Sequence, residues 1–222
     1  MAGAGVLVDV DGTLVDSNYH HTIAWSRALR DHGSNARLAA IHRLIGMGGP
    51  QLLETLIGRS DDAIAKSWRA HFDELLPEVY PFDNAAELLR AMHSRGLTVV
   101  LATSSPADLL DEFRSKIGAD DAVDVVVTAS DVEEAKPEPD VFEASLAKAG
   151  LRRERALVLG DSRWDAQAAA RAHLPCVALE TGGFSRAELE EEGVVAVYSD
   201  PSDLLEHLDE SPIGALAAKA TE

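Results

Sequence analysis

Cysteine is almost absent from this 222-residue chain: Cys176 stands alone. No intrachain disulfide can form, and a reducing cytosol is the simplest compartment. Basic residues are also scarce, 20 Lys and Arg against 38 Asp and Glu, for a formal net charge of −18. That balance argues against nucleic acid and anionic membrane as partners, since both call for basic patches. It does not exclude a small anionic ligand, because a local cation can invert the field inside one cleft. No apolar run approaches the ~20 residues that span a bilayer. The opening MAGAG lacks the basic start of a secretory signal. The expectation is a soluble cytoplasmic protein, monomer or homodimer.

What is present is a rhythm. Short β-branched runs recur at Val6–Val10, Thr98–Ala102, Val123–Val127, Leu157–Leu159, Val177–Leu179 and Val194–Tyr198. Between most of them lie segments of helical period. Ala85, Leu88, Leu89 and Met92 make one apolar stripe; Val141, Phe142, Leu146 and Ala149 make another, entered through Pro139 and closed by Gly150. Continuous apolar strands alternating with amphipathic helices predict a doubly wound, Rossmann-like α/β fold with a parallel sheet covered on both faces.

One interval breaks the rhythm. Between Asn18 and Tyr80 only helical patterns occur, among them Tyr19 with Ile23, and Ile64, Trp68, Phe72, Leu75 and Leu76. Strand-to-helix connections normally take about 2–6 residues, so residues 17–83 are expected to form an inserted helical cap. Residues 1–16 and 84–222 then form the α/β core, with hinges near Asp16–Ser17 and Pro81–Asn84. The final dozen residues, ending IGALAAKATE, show no clear apolar face and are expected to fray. The acidic run ELEEEG, 188–193, reads as a solvated helix face.

Ligands of open parallel sheets bind beyond the carboxyl ends of the strands, and each end here offers polar groups. The first run leads into Asp9 and Asp11 of DVDGTLVDS, the second into Thr103, Ser104 and Ser105 of LATSS. Lys136 of AKPEPD follows the third, and Asp161 and Asp165 of LGDSRWD follow the fourth. Carboxylates gathered this closely repel unless a cation lies among them, and an all-oxygen set without His or Cys suits Mg²⁺. A hydroxyl and a lysine beside that metal are what a phosphoryl group requires. Gly12 would let backbone N–H groups approach the same oxygens.

In this order the four segments resemble the motifs of the haloacid dehalogenase superfamily. The likeness is to its helical-cap phosphatases, of the phosphoglycolate phosphatase and beta-phosphoglucomutase type, and it covers nearly the whole chain. The resemblance implies that Asp9 is a nucleophile forming an aspartyl-phosphate, and that Asp11 is general acid and then base. It implies Thr103 and Lys136 as holders of the phosphoryl group, and Asp9, Asp11 (through its backbone carbonyl) and Asp161 as Mg²⁺ ligands. Asp165 would stand behind them or orient Lys136, while Gly12 and Ser104 would contact substrate. The segment NYHHTIAW is similar to a first cap helix in which a histidine, here His21, lies near the active site; a packed helical histidine is the alternative.

The expected substrate is a small-molecule phosphate ester. A phosphosugar mutase is the alternative on the same core, but the loop RLIGMGGPQLL carries Gly49 where the mutases' arginine falls, leaving Arg43 or Arg59 as substitutes. This loop lacks the spacing of a dinucleotide fingerprint and reads as a cap loop that could face substrate, with Pro50 opening the next helix. Dehalogenase chemistry, which needs neither metal nor an acid like Asp11, is disfavoured.

Overall fold

A computed structural model describes residues 3–220. Six strands, β1 (Gly5–Val8), β2 (Thr98–Ala102), β3 (Val125–Val127), β4 (Ala156–Gly160), β5 (Cys176–Leu179) and β6 (Ala196–Tyr198), form one sheet in the order β3-β2-β1-β4-β5-β6. Every pair is parallel, with Val6 of β1 opposite Val99 on one side and Leu157 on the other. The helices are α1 (Asn18–Asp31), α2 (Leu38–His42), α3 (Gly49–Ile57), α4 (Asp62–Leu75), α5 (Ala85–Ser94) and α6 (Ala107–Ile117). They continue with α7 (Asp140–Ala149), α8 (Arg163–Arg171), α9 (Arg186–Glu191), α10 (Pro201–Glu206) and α11 (Pro212–Ala220). Among the described residues no helix is long and apolar enough to cross a membrane.

The period-two alternation of the strands divides the core. Val6, Val8, Val99, Leu101, Leu157 and Leu159 face the cluster completed by α5, α6, α10 and α11. Leu7, Val100, Ala102 and Val158 face the opposite cluster, completed by α7 and α8. With helices on both faces, the strands are apolar along nearly their whole length, Thr98 at the start of β2 excepted. The chain runs outward from β1 through β2 to β3, then returns to build β4, β5 and β6 on the other side. That reversal opens a crevice beyond the carboxyl ends of β1, β2 and β4.

Helices α1 to α4 fill the interval between β1 and α5, and Trp25, Leu29, Ile41, Leu52, Leu53 and Ile64 form a cluster of their own there. The chain leaves and re-enters through paired backbone: Asp16 N–H donates to Tyr80 C=O at 2.9 Å and Phe82 N–H to Leu14 C=O at 2.9 Å.

Several expectations need correction. The third strand begins at Val125, because Val123 closes a 3₁₀ turn over Asp120–Ala122; the sixth begins at Ala196. Tyr19 and Ile23 do lie on a helix, but on its exposed side. The buried face of α1 is His21, Ala24, Trp25, Ala28 and Leu29, at helical spacing. The tail does not fray over its described part: Ile213 and Ala217, one turn apart on α11, are buried in the sheet's core. Thr221 and Glu222, which end that expectation, lie outside the described residues. The acidic run is not simply solvated: Glu188 accepts from Arg43 at 2.5 Å and Glu192 pairs with Arg163 at 2.6 Å.

Candidate active site

The carboxyl end of β1 runs directly into Asp9, whose own N–H still donates to Leu159 C=O at 2.8 Å. Sheet pairing thus carries a buried carboxylate to the floor of the crevice. Its Oδ1 accepts from Lys136 Nζ, and its Oδ2 accepts from Thr13 Oγ1 at 3.2 Å. The Thr13 hydroxyl also lies 2.8 Å from Asp161 Oδ1, so it joins the ends of β1 and β4. Asp161 Oδ2 accepts from Asn18 Nδ2 at 3.0 Å.

Lys136, 1% exposed, reaches back from the loop after β3. Its ammonium donates to Asp9, lies 2.7 Å from Asp165 Oδ1 and reaches Ala102 C=O at 3.2 Å. Burial works against its charge, but Asp165 and Asp9 outweigh burial and raise its pKa. Asp165 is fixed by a capping box at the start of α8: its Oδ2 accepts from the N–H of Ser162 at 3.1 Å and from Ser162 Oγ at 2.5 Å. A first-turn acid favoured by the helix end therefore also holds the lysine.

Oxygen atoms of Asp9, Asp161 and Asp165 lie within 4.8 Å of one another, all three residues buried. Burial and the neighbouring Asp165 push Asp161 well above the carboxylate range. Burial likewise drives Asp9 up to about 7, with Lys136 pulling it down and Asp165 and Asp11 adding to the rise. An oxygen-only cluster under such strain of like charge fits a hard divalent cation. The carboxylate of Asp11 is not part of this cluster.

Asp11 points into a different shell. Its Oδ1 lies 2.7 Å from His21 Nε2 and accepts from Ser17 Oγ at 2.7 Å; its Oδ2 accepts from Ser105 Oγ at 2.7 Å and Thr103 Oγ1 at 3.3 Å. Burial alone would raise this acid, yet His21, Ser105 and Ser17 outweigh it and hold the pKa at about 2. Thr103 does not cap α6, which starts after Pro106; its hydroxyl accepts from Ser105 N–H at 3.0 Å. Ser104 Oγ is buried and has no hydrogen-bond partner.

Gly12 has φ +78, and a Cβ there would run into Asn18 Nδ2 and Asp161 Oδ2. Its N–H is committed to Val15 C=O at 2.8 Å. This glycine lacks a side chain, which lets the β1 and β4 ends close, while its own amide is engaged within the turn.

Above the floor lies a cavity of about 520 Å³, lined by Asp9, Asp11, His21, Thr103, Ser104 and Ser105 at one end and by residues of α1, α3 and α4 beyond. Arg69 of α4 pairs with Asp108 of α6 at 2.7 Å, tying the helical insertion to the core at the cavity wall. On the far side Gly48 N–H reaches Lys136 C=O at 3.4 Å and Trp164 Nε1 donates to Arg43 C=O at 3.3 Å. The sequence marks Ser105 only as a strand-end hydroxyl beside Thr103 and Ser104, and gives Thr13, Ser17 and Asn18 no role in the site. The DGT triplet, with a hydroxyl four residues after Asp9, was the available signal for Thr13.

The model of the haloacid dehalogenase-like hydrolase family matches residues 4–173. Over 219 residues the chain is 34% identical to a phosphoglycolate phosphatase of Cereibacter sphaeroides, covering 92% of this chain and 98% of that one. It is 28% identical over 180 residues to the validoxylamine A 7'-phosphate phosphatase of Streptomyces hygroscopicus subsp. limoneus, 79% of this chain and 84% of that one. The crystal structure of a hydrolase from Pseudomonas syringae superposes with a TM-score of 0.88 at 34% identity, over 93% of this chain and 98% of that one.

Proposed function

This chain belongs to the haloacid dehalogenase-like hydrolases, and we propose that it hydrolyses a small phosphate monoester by way of a phosphorylated Asp9. One observation carries the reading: Asp9, held by Lys136 within the acidic cluster, and Asp11, held by His21, Ser17 and Ser105 outside it, meet at the same end of one cavity. Two carboxylates with separate partners at one site can act on the same phosphorus, one as nucleophile and one on the leaving oxygen.

In the first step an Asp9 oxygen attacks phosphorus, the P–O ester bond breaks, and the leaving oxygen takes a proton from Asp11. In the second, Asp11 accepts a proton from water, which attacks the same phosphorus and releases inorganic phosphate and free Asp9. His21 Nε2, 2.7 Å from Asp11, is within reach to share that proton. The four donors around Asp11 favour its ionised form, as the second step requires; the approach of a phosphate dianion favours the protonated form that the first step requires. Lys136 holds the nucleophile in place and offers charge to the phosphoryl oxygens, with the Thr103 and Ser104 hydroxyls beside it.

Asp9, Asp161 and the Asp11 carbonyl would hold Mg²⁺, with Asp165 behind them. The ion supplies positive charge to the acids and to the phosphoryl oxygens as charge builds in the transition state. Residues 17–83 act as the cap, and a cytoplasmic setting accords with the single buried Cys176.

The mutase alternative requires the cap-loop arginine of the mutases, or Arg43 or Arg59 in its place, at a second phosphate. Arg43 is engaged with Glu188 and stacked over Phe184 at 4.3 Å, and Arg59 pairs with Asp61; neither lines the cavity. At the position of the mutase arginine, Gly49 lies against the Trp25 ring.

The test is phosphate release from a panel of phosphomonoesters with and without Mg²⁺. Turnover that needs the metal, is abolished by Asp9→Asn and leaves a phosphorylated Asp9 peptide after rapid acid quench is expected. Chloride release from chloroacids without metal, or full activity in Asp9→Asn, would overturn the reading.

A further inference from the structure

The two phosphatases compared above are named for different esters, so the leaving group must be read from the cavity. At about 520 Å³, the cavity has room for on the order of fifteen water molecules at about 30 Å³ each. A two-carbon phosphate ester of about nine non-hydrogen atoms fills a minor part of such a space, which is of the size that takes larger organic ligands.

Beyond the catalytic end its wall is mostly apolar, with Trp25, Trp68, Ile45, Met47, Leu52 and Pro106 contributing. Trp25 and Trp68 stack on each other at 5.0 Å and 14°, and His21 stacks on Trp68 at 5.6 Å and 20°. The aromatic wall is therefore fixed in orientation before ligand arrives. Gly49 keeps its span open, since a Cβ there would stand 3.3 Å from Trp25 Cζ2. A hydroxyl-rich chain would find no polar side chain along the stretch of Trp25, Ile45, Met47 and Leu52, whereas a flat ring gains contact there.

Charge in the wall is uneven. Arg69 is consumed by Asp73 and Asp108, each at 2.7 Å. Lys66, one turn along α4 from Asp62, is exposed and has no ion-pair partner among the described residues. It is the free cation of the cavity.

Resting on the phosphatase reading, we propose that the substrate's leaving group is ring-bearing and carries an anion, carboxylate or second phosphate, with the ring against Trp25 and Trp68 and the anion at Lys66.

The test uses the full chain with Mg²⁺ and compares kcat/KM for 2-phosphoglycolate, benzyl phosphate, 4-carboxybenzyl phosphate and 1,4-xylylene bisphosphate. At least one ester with both ring and anion is expected to exceed the first two by tenfold or more, and which one identifies the anion. Lys66→Gln is expected to shrink the preference for that ester over benzyl phosphate about tenfold, the worth of one charge-assisted contact. Phosphoglycolate turned over as well as the ring-bearing anions, or a preference unchanged by Lys66→Gln, would overturn the proposal. A second readout is independent of catalysis: 4-carboxybenzyl alcohol should quench tryptophan fluorescence saturably, and more weakly in Lys66→Gln. If no ester releases phosphate, the phosphatase reading fails and this titration alone decides whether the cavity takes such a group; a flat titration overturns it.

Discussion

Lys136 Nζ lies 2.7 Å from Asp165 Oδ1 while donating to Asp9, so one buried cation balances two acids delivered by different strand ends. Replacing Asp165 by Asn keeps the shape but leaves the lysine drawn to Asp9 alone. Phosphate release is expected to fall about 10–100-fold, as for residues that orient a reacting group. Lys136→Met leaves Asp9 and Asp165 without their cation and should cost about 3–5 kcal/mol in urea unfolding of the metal-free protein. A Lys136→Met protein as stable as the parent would show that the ammonium is not the counter-charge of the cluster.

The acidic cluster ties stability to pH. Without metal, folded Asp9 keeps its proton up to about 7, against an ordinary value of 3.8. The folded state therefore binds more protons than the unfolded chain between those values, and stability falls as pH rises through that window. Asp161, raised in the same direction, adds to the fall. A cation among the carboxylates removes the repulsion and needs them ionised. Thermal shift assays should show a larger gain from Mg²⁺ at pH 8 than at pH 5; equal gains would place the ion elsewhere.

Gly12 and Gly58 share a left-handed backbone, φ +78 and +76, but only Gly12 has neighbours in the way of a side chain. Gly58→Ala should cost only the conformational penalty, about 1–2 kcal/mol, with activity kept. Gly12→Ala should add a loss of turnover near 10²-fold, because Asn18 and Asp161 must move. Steady-state kinetics beside chemical denaturation separate the two; equal effects on activity would show that the Gly12 turn is mere backbone.

Ile213 on the last helix is fully buried. Ile213→Ala should destabilise by about 2–5 kcal/mol in urea titration, with kcat/KM unchanged for the molecules that remain folded. A neutral substitution would mean that α11 detaches in solution.

Much of this architecture was legible because strand and motif announce each other. A β-branched run followed at once by an acid, a hydroxyl or a glycine marks a strand end, and a stretch without such runs marks the helical insertion. The less legible parts have physical reasons. The inner face of α1 interleaves Trp25 and Leu29 with His21, Ala24 and Ala28, and those three dilute its apolar signal beside Tyr19 and Ile23. The last helix hides behind Gly214 and alanines in the same way. Thr13, Ser17, Asn18 and Ser105 read as turn and cap residues, and only the turn at Gly12 brings Asn18 and Asp161 together. Lys66 looks like any solvent lysine until the cavity wall is assembled around it.

The paired backbone at Asp16–Tyr80 and Leu14–Phe82 makes the insertion a cassette with a single attachment stem. Because both ends are held side by side, the length of what lies between them places no demand on the sheet. Its make-up is constrained where Ser17, Asn18 and His21 reach Asp11 and Asp161; beyond those contacts a lineage could rebuild the segment and acquire a new appetite.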